Sequence, residues 1–167
     1  MVTGPESLEL AVWAALSGVA DPEIPAVSVV DMGMIRDVVV DAQAVTVTVL
    51  PTFTGCPAID VITHDVGEAV GRVEGAEKVV VKTSFDPPWT TDRITPEGKA
   101  KLQGFGLAPP TGTGPVLITD IGLPGAARCP YCSSTNTKND SMFGPTPCRA
   151  IYYCLDCRNP FEQFKTV

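Results

Sequence analysis

The chain has 167 residues, 44% of them hydrophobic, which suffices for one domain of ordinary size and a small appended module. Glycine, proline or charge interrupts every apolar run before it reaches the roughly 18 residues that a membrane span needs. The formal charge is −7, and no segment shows the basic face expected of a nucleic-acid-binding protein. The opening MVTGPESLELAV has no basic n-region, which predicts a reducing, cytoplasmic compartment without disulfides.

The first predicted helix begins at a capping box, with Thr3 as the cap and Glu6 three positions later. Its apolar stripe consists of Leu8, Val12, Leu16 and Val19. The helix ends at Gly18 and the DPEIP segment, and we expect its apolar stripe to pack on a sheet.

Three strands are predicted in the next part of the chain. Residues Met34–Asp41 and Ala44–Leu50 are joined by a short turn and should form a hairpin. In the second of them, valines alternate with threonines, which is the period of a half-buried strand. Residues Glu77–Ser84 form the third strand, and the proline-rich DPPWTTDR loop ends it.

Two more helices complete the order α-β-β-α-β-α. The second helix starts around Pro57, and the third opens at Thr95 and closes at Gly104, with Leu102 facing inward. The second helix has apolar residues at helical spacing: Ile59, Ile62, Val66, Ala69, Val70 and Val73. We therefore predict an α+β domain over residues 1–106, a linker or edge segment over 107–127, and a four-cysteine module over 128–167.

Two Cys-x-x-Cys pairs, Cys129/Cys132 and Cys154/Cys157, dominate the last quarter of the chain. A two-residue gap lets both sulfurs of a pair reach one ion from a tight turn, so the pairs predict a tetrahedral four-thiolate site. A hairpin would absorb the 21 residues between the pairs. We favour structural zinc, and a single iron bound as in rubredoxin is the alternative.

Cys56 stands in T-G-C-P at the predicted start of the second helix, where free N–H groups and the helix dipole favour a thiolate. Thr54 could cap that helix, and Gly55 would let a ligand or partner approach the backbone closely. The alternative is a small buried hydrophobe, since free cysteine is often buried.

The remaining polar and sulfur-containing residues fit structural roles better than chemical ones. His64 is the only histidine, and its position suits a solvated helix surface. Asp21 and Asp31 stand where the chain bends and should serve turns rather than a carboxylate metal site. Trp89 should anchor its loop or contact a partner. Cys148 is expected in the core of the four-cysteine module, with an alternative ligand or a transfer thiol left open.

Three stretches, VADPEIPAVSVVDMGMIRDV, PTFTGCPA and WTTDRITPEGKAKLQGFGLAPP, resemble the domain of iron–sulfur assembly factors. With the four-cysteine tail added, the chain from about residue 8 is similar to the PaaD-like proteins of phenylacetyl-CoA epoxidase systems. The resemblance implies an iron–sulfur-assembly-type α+β fold followed by a zinc ribbon. It places the family's reactive cysteine on Cys56 and its D-P-E motif on Asp21 and Glu23.

The resemblance also implies a non-catalytic accessory role. The chain would support delivery of iron or an iron–sulfur cluster, held transiently at Cys56, to oxygenase and reductase partners, and a second copy of the chain is a further candidate partner. The alternatives are a rubredoxin-like electron carrier and a purely structural scaffold protein of the complex.

Overall fold

The computed structural model describes residues 5–110 and 127–166 of the chain. The chain forms two compact units, Met1–Trp89 and Thr90–Val167. Each unit has its own sheet, and the observed class is α+β, as predicted. Among the described residues, no helix is long and apolar enough to cross a membrane.

Helix α1 spans Pro5–Leu16, in agreement with the apolar periodicity. The residues of the predicted stripe are buried: Leu8, Val12, Leu16 and, beyond the helix end, Val19. The predicted cap, Thr3, lies outside the described residues. The apolar side of α1 contacts the first strand of the sheet and the second helix.

The sheet of the first unit has the strand order β1-β2-β3. Strands β1 (Ile35–Asp41) and β2 (Ala44–Val49) pair antiparallel, which confirms the predicted hairpin. Strand β3 (Lys78–Thr83) pairs parallel with β2. The valines of β2 are fully buried, as the alternation predicts: Val45, Val47 and Val49.

Helix α2 (Ile59–Gly71) connects β2 to β3, the connection that a parallel pair requires. It buries Ile62, Val66 and Val70. A Cβ built on Gly67 would lie 3.6 Å from Cγ2 of Val81, so α2 packs closely against β3. Helices α1 and α2 also contact each other, which places both on the same face of the sheet.

Trp89 anchors the loop that follows β3. It is 6% exposed, and its indole N–H donates a hydrogen bond of 2.8 Å to the Met32 carbonyl oxygen. The buried indole therefore fastens the end of the first unit to its core, as one of the two predicted roles requires.

The second unit begins with a short 3-10 helix, Thr91–Arg93, and helix α3, Pro96–Gly104. Thr95 caps α3, because its hydroxyl accepts a hydrogen bond of 2.9 Å from the Gly98 N–H. Leu102 is fully buried. Both the cap and the inward side chain agree with the sequence.

The sheet of the second unit has the strand order β4-β7-β6-β5. Its strands are β4 (Leu107–Ala108), β5 (Thr137–Ser141), β6 (Arg149–Cys154) and β7 (Pro160–Phe164). The β5–β6 and β6–β7 pairs are antiparallel, and β4 pairs parallel with β7. The short strand β4 thus joins the sheet of the four-cysteine module.

The division into compact units falls at Trp89, whereas composition predicts a first domain extending to residue 106. Residues 90–106 group with the second unit because α3 contacts β4, and β4 is hydrogen-bonded to β7. The predicted segment 107–127 falls mostly on residues 111–126, which lie outside the described chain. The three-part division therefore stays a prediction.

Candidate metal centre and candidate transfer thiol

The first cysteine pair lies in a tight turn, here called the first knuckle (residues 129–134). The Cys129 N–H donates a hydrogen bond of 2.9 Å to the Ser134 carbonyl oxygen, and the Ser133 N–H donates one of 2.9 Å to the Cys129 carbonyl oxygen. Ser133 is left-handed, with φ 62°. This turn lets the Ser134 backbone hydrogen-bond to the sulfur of Cys132.

The second cysteine pair repeats the same arrangement in the second knuckle (residues 154–159). The Cys154 N–H donates a hydrogen bond of 3.0 Å to the Asn159 carbonyl oxygen. Arg158 is left-handed, with φ 59°, and the Asn159 backbone hydrogen-bonds to the sulfur of Cys157. The two knuckles are therefore equivalent turns on opposite sides of one site.

The four sulfurs of the knuckles converge, with all ligand atoms within 4.8 Å of one another. The distances between knuckles are 3.6 Å from Cys129 Sγ to Cys157 Sγ and 3.5 Å from Cys132 Sγ to Cys154 Sγ. A tetrahedron with metal–sulfur bonds of about 2.3 Å has sulfur–sulfur edges of about 3.8 Å. The cluster therefore fits one tetrahedral ion, and a four-sulfur tetrahedron suits zinc or iron.

Hydrogen bonds around the sulfurs shift two thiol pKa values in opposite directions. The Ser134 backbone lowers the pKa of Cys132, but desolvation and hydrogen bonds with the other three thiols outweigh it and raise that pKa to about 12. The Asn159 side chain is the main cause that lowers the pKa of Cys157 to about 6. A bound cation favours all four thiolates, and the same N–H donors then stabilise the sulfur charge.

Asp156, inside the second knuckle, ties it to the chain that leaves the first. Its carboxylate accepts hydrogen bonds from the Ser134 hydroxyl and, at 2.7 Å, from the Asn136 side-chain amide. The Leu155 N–H donates to the Asn136 carbonyl oxygen at 2.9 Å. Sequence reasoning missed this bridge, although a carboxylate between two cysteines and a Ser-x-Asn run after the first pair were visible signals.

The metal site is closed on its inner side. Cys129 and Cys154 are fully buried, whereas Cys132 is exposed and Cys157 is half-buried. The two buried sulfurs belong to a small core with Ala108, Ala127, Ala150, Tyr152 and Phe161. The rings of Tyr152 and Phe161 stack with centroids 5.8 Å apart. Since the four thiols complete a tetrahedron, no ligand position is left open, as in a structural site.

Cys148 lies apart from the metal cluster. It is half-buried in the connection between β5 and β6, and its sulfur lies 3.2 Å from the Thr146 hydroxyl oxygen. It belongs neither to the four-sulfur cluster nor to the buried core of the second unit, so its predicted core position is wrong. Cys148 lies in the turn at residues 144–149, in which the Gly144 N–H donates to the Arg149 carbonyl oxygen. This turn keeps the side chain of Cys148 outside the buried core.

Cys56 lies in the loop that connects β2 to α2. Its side chain is half-buried, whereas Thr54, Gly55 and Pro57 around it are exposed or nearly so. The Cys56 N–H donates to the Phe53 carbonyl oxygen at 3.1 Å, and the Cys56 carbonyl oxygen accepts from the Ile59 N–H at 3.3 Å. The thiol therefore stands in a tight turn at the surface of the first unit.

Two expectations about this loop need correction. Helix α2 begins at Ile59, with Ala58 as its N-cap and no side-chain cap, so the predicted cap at Thr54 is wrong. Cys56 consequently precedes the helix instead of starting it, because the loop first closes its own turn on Phe53. A Cβ built on Gly55 would meet nothing within 4 Å, so the fold itself does not require a glycine there.

Asp21 and Asp31 hydrogen-bond within turns, as predicted. The Asp21 carboxylate accepts hydrogen bonds from the N–H groups of Glu23 (2.8 Å) and Ile24 (3.0 Å). Asp31 accepts from the Ser28 N–H at 2.8 Å. Among the described residues, the four cysteines are the only cluster of potential metal ligands. His64 is exposed on α2, as expected of a solvated residue.

Two family models match the chain, one in each unit. Residues 9–83 match the model of an iron–sulfur cluster assembly protein family, and residues 114–165 match that of the PaaD zinc beta ribbon domain. The chain is 38% identical, over 93% of its length and 92% of the relative, to the D component of the "Putative 1,2-phenylacetyl-CoA epoxidase" of Escherichia coli (strain K12).

Two further similarities involve the first unit. An Fe-S protein maturation auxiliary factor of Porphyromonas gingivalis is 43% identical over 54% of this chain and 85% of the relative. A solved DUF59 domain of unknown function from Bacillus anthracis has a TM-score of 0.56 and 30% identity, over 59% of this chain and 93% of that one.

Fold and site together define a protein that joins an iron–sulfur-assembly-type α+β domain to a four-cysteine metal ribbon. The match to the E. coli relative extends over nearly the whole of both chains, so it includes both parts. The chain belongs to the PaaD family.

Proposed function

We propose that the chain is a non-catalytic accessory protein that supports delivery of iron or an iron–sulfur cluster, with Cys56 as the thiol that holds this cargo. The observation that carries the proposal is the position of Cys56 in an exposed turn. Open space beside Gly55 lets an acceptor approach this turn. Relatives of the first unit named as maturation factors support the same role.

The acceptors we propose are the oxygenase and reductase subunits of a phenylacetyl-CoA epoxidase system. The name of the E. coli relative, which refers to that epoxidase, supports this assignment. We also propose a cytoplasmic location, since a transfer thiol and four metal-binding thiols must stay reduced, and none of the six cysteines is in a disulfide. A second copy of the chain is a further candidate partner.

Zinc is the metal that we propose for the ribbon. The four thiols leave no open position, and the match to a zinc ribbon family supports a structural ion. Bound there, zinc would hold the two knuckles together and allow a small core to form. A rubredoxin-like electron carrier would need iron in the same site, so metal analysis with a visible spectrum separates the two. Zinc held by four thiolates is colourless and redox-silent.

The ribbon unit is proposed as the docking module. A pocket of about 360 Å³ adjoins the first knuckle and is bordered by Phe105, Tyr131 and Phe161. Phe105 and Tyr131 are 51% and 59% exposed, and exposed aromatics beside a pocket are typical of interface anchors. The ion pair between Arg149 and Glu162, at 2.9 Å, supplies the polar part of the lining.

Thiol labelling of the zinc-loaded protein tests whether Cys56 is a transfer thiol or part of a passive scaffold. In a Cys148→Ser background, Cys56 is the one thiol outside the metal site. The proposal predicts that native Cys56 reacts at neutral pH about as fast as in the denatured chain. Labelling that is slower by two orders of magnitude or more would favour the scaffold, since a buried structural thiol is inert.

A further inference from the structure

The sheet of the first unit has one face that neither α1 nor α2 covers. The side chain of Val81 faces α2 through the contact at Gly67, so alternate residues of β3 point the other way. Strand register then defines this outer face by three rows, one residue from each strand in each row: Asp37, Thr48 and Lys82; Val39, Thr46 and Val80; Asp41, Ala44 and Lys78.

The middle row of the outer face is apolar and exposed. Val39 is 55% exposed and Val80 is 36% exposed, with Thr46 between them on the central strand. Three adjacent β-branched side chains on an open sheet face form a surface suited to packing against a second sheet about 10 Å away.

The two outer rows carry opposite charges at their ends. Asp41 on β1 and Lys78 on β3 flank Ala44, and their backbones are two strand spacings or about 9.5 Å apart. Neither takes part in an ion pair among the described residues. In the other row, Asp37 on β1 is likewise opposite Lys82 on β3. Arg36 on β1 already forms an ion pair with Asp37, so the row of Asp41, Ala44 and Lys78 is the one that carries the charge complementarity.

We propose that this outer face binds the same face of a second copy of the chain, related by a two-fold axis that runs along β2. Such an axis exchanges β1 and β3. It places Val39 over Val80 of the partner, and Asp41 over Lys78 of the partner. The central residues meet their own copies, and Thr46 and Ala44 are small and uncharged. A two-fold interface requires this self-complementarity of one patch.

The distribution of charge over the first unit favours the outer face over the helices as the contact. Residues 1–89 contain 13 acids and 4 bases, and three of those bases, Arg36, Lys78 and Lys82, lie on the sheet. Helix α2 exposes three acids, Asp60, Asp65 and Glu68. A contact between the helices of two copies would therefore bring like charges together. A three-stranded face is small, which places the dimer in the weak and transient class.

Sedimentation equilibrium of the zinc-loaded full chain over a wide concentration range tests the proposal. We expect the average mass to rise from 17.6 kDa towards twice that value. Asp41→Lys and Lys78→Asp should each weaken the association by roughly tenfold or more, because both symmetry-related pairs become repulsive. An equimolar mixture of the two variants should recover the affinity, since the hybrid dimer restores both pairs.

Asp65→Lys is the matched control for Asp41→Lys, because it makes the same charge change at an exposed position on α2. It should leave the association intact, and circular dichroism checks that every variant is folded. A mass that stays at 17.6 kDa at all concentrations would overturn the proposal. So would a mixture that fails to recover, or a loss for Asp65→Lys equal to that for Asp41→Lys.

Discussion

Ser133 and Arg158 have nearly the same left-handed backbone conformation, with φ angles of 62° and 59°. Each directly follows the second cysteine of its pair. In both knuckles this conformation brings the next backbone N–H onto the preceding sulfur. Two unrelated stretches of chain thus adopt the same turn, which aims the sulfurs at one ion and the backbone N–H donors at those sulfurs.

Arg158→Val should destabilise the metal-loaded ribbon by about 1–2 kcal/mol, because a β-branched residue is disfavoured in the left-handed region. Arg158→Gly is the control and should retain or slightly raise stability, since glycine has no Cβ to clash. Denaturant unfolding of the zinc-loaded protein measures both. Equal stability of the valine and glycine variants would contradict the assigned conformation.

Removal of the metal should unfold the ribbon while the first unit stays folded. The ribbon core is small and includes two of the metal ligands, whereas the first unit has its own large apolar core. Both tryptophans, Trp13 and Trp89, lie in the first unit, and all three tyrosines lie in the second. A strong chelator should therefore change the tyrosine circular dichroism and leave tryptophan fluorescence unchanged. Loss of both signals together would show that the first unit also depends on the metal.

Asp37 should make the first unit less stable as the pH becomes acidic. The hydrogen bond from the Arg36 guanidinium is the largest cause that lowers the Asp37 pKa below 3.8, and hydrogen bonding to Thr48 adds to it. A lowered pKa stabilises the fold above pH 3.8, and this contribution disappears as the pH falls through the folded-state value. Asp37→Asn should remove this part of the pH dependence.

Urea unfolding followed by tryptophan fluorescence at several pH values measures that difference in the first unit. Asp65→Asn, at an exposed site on α2, is the control. If Asp37→Asn and the wild type lose stability in parallel on acidification, the Arg36–Asp37 contact does not contribute in solution.

Thr95→Ala should destabilise the second unit by about 1 kcal/mol, because it removes the hydroxyl that caps α3. Thr54→Ala is the matched control in the first unit, since Thr54 precedes α2 without capping it. Thermal unfolding of both variants checks the assignment. If Thr54→Ala loses as much stability as Thr95→Ala, the assignment of Thr95 as a cap and of Thr54 as a residue that caps no helix is contradicted.

Most of the fold follows from local sequence. The stripe on α1, the valine alternation in β2 and the Thr95 cap each determine an element through neighbouring residues alone, and all are observed. The predicted start of α2 is too early, because Pro57 is compatible with a first helical turn and nothing local reveals the turn that closes on Phe53. The pairing of β4 with β7 joins residues far apart in sequence, and two residues carry too little pattern to predict it.

The metal ligands are predictable because their spacing is set by the coordination geometry. The supporting groups are not, since Ser133 and Arg158 gain their role from backbone conformation and Asp156 gains its role from a residue in the other knuckle. Cys148 illustrates the opposite error. Free cysteines are often buried, but the position of Cys148 in the connection between β5 and β6 leaves its side chain only half-buried.

Iron loading of the proposed acceptors, the oxygenase and reductase subunits of a phenylacetyl-CoA epoxidase system, tests the role of Cys56 most directly. The oxygenase and reductase subunits are produced with the wild-type chain, with Cys56→Ser, with Cys148→Ser or without the chain, and their iron and acid-labile sulfide are measured. We predict that Cys56→Ser lowers loading to the level without the chain, while Cys148→Ser matches the wild type. Full loading with a folded, zinc-containing Cys56→Ser chain would contradict the account.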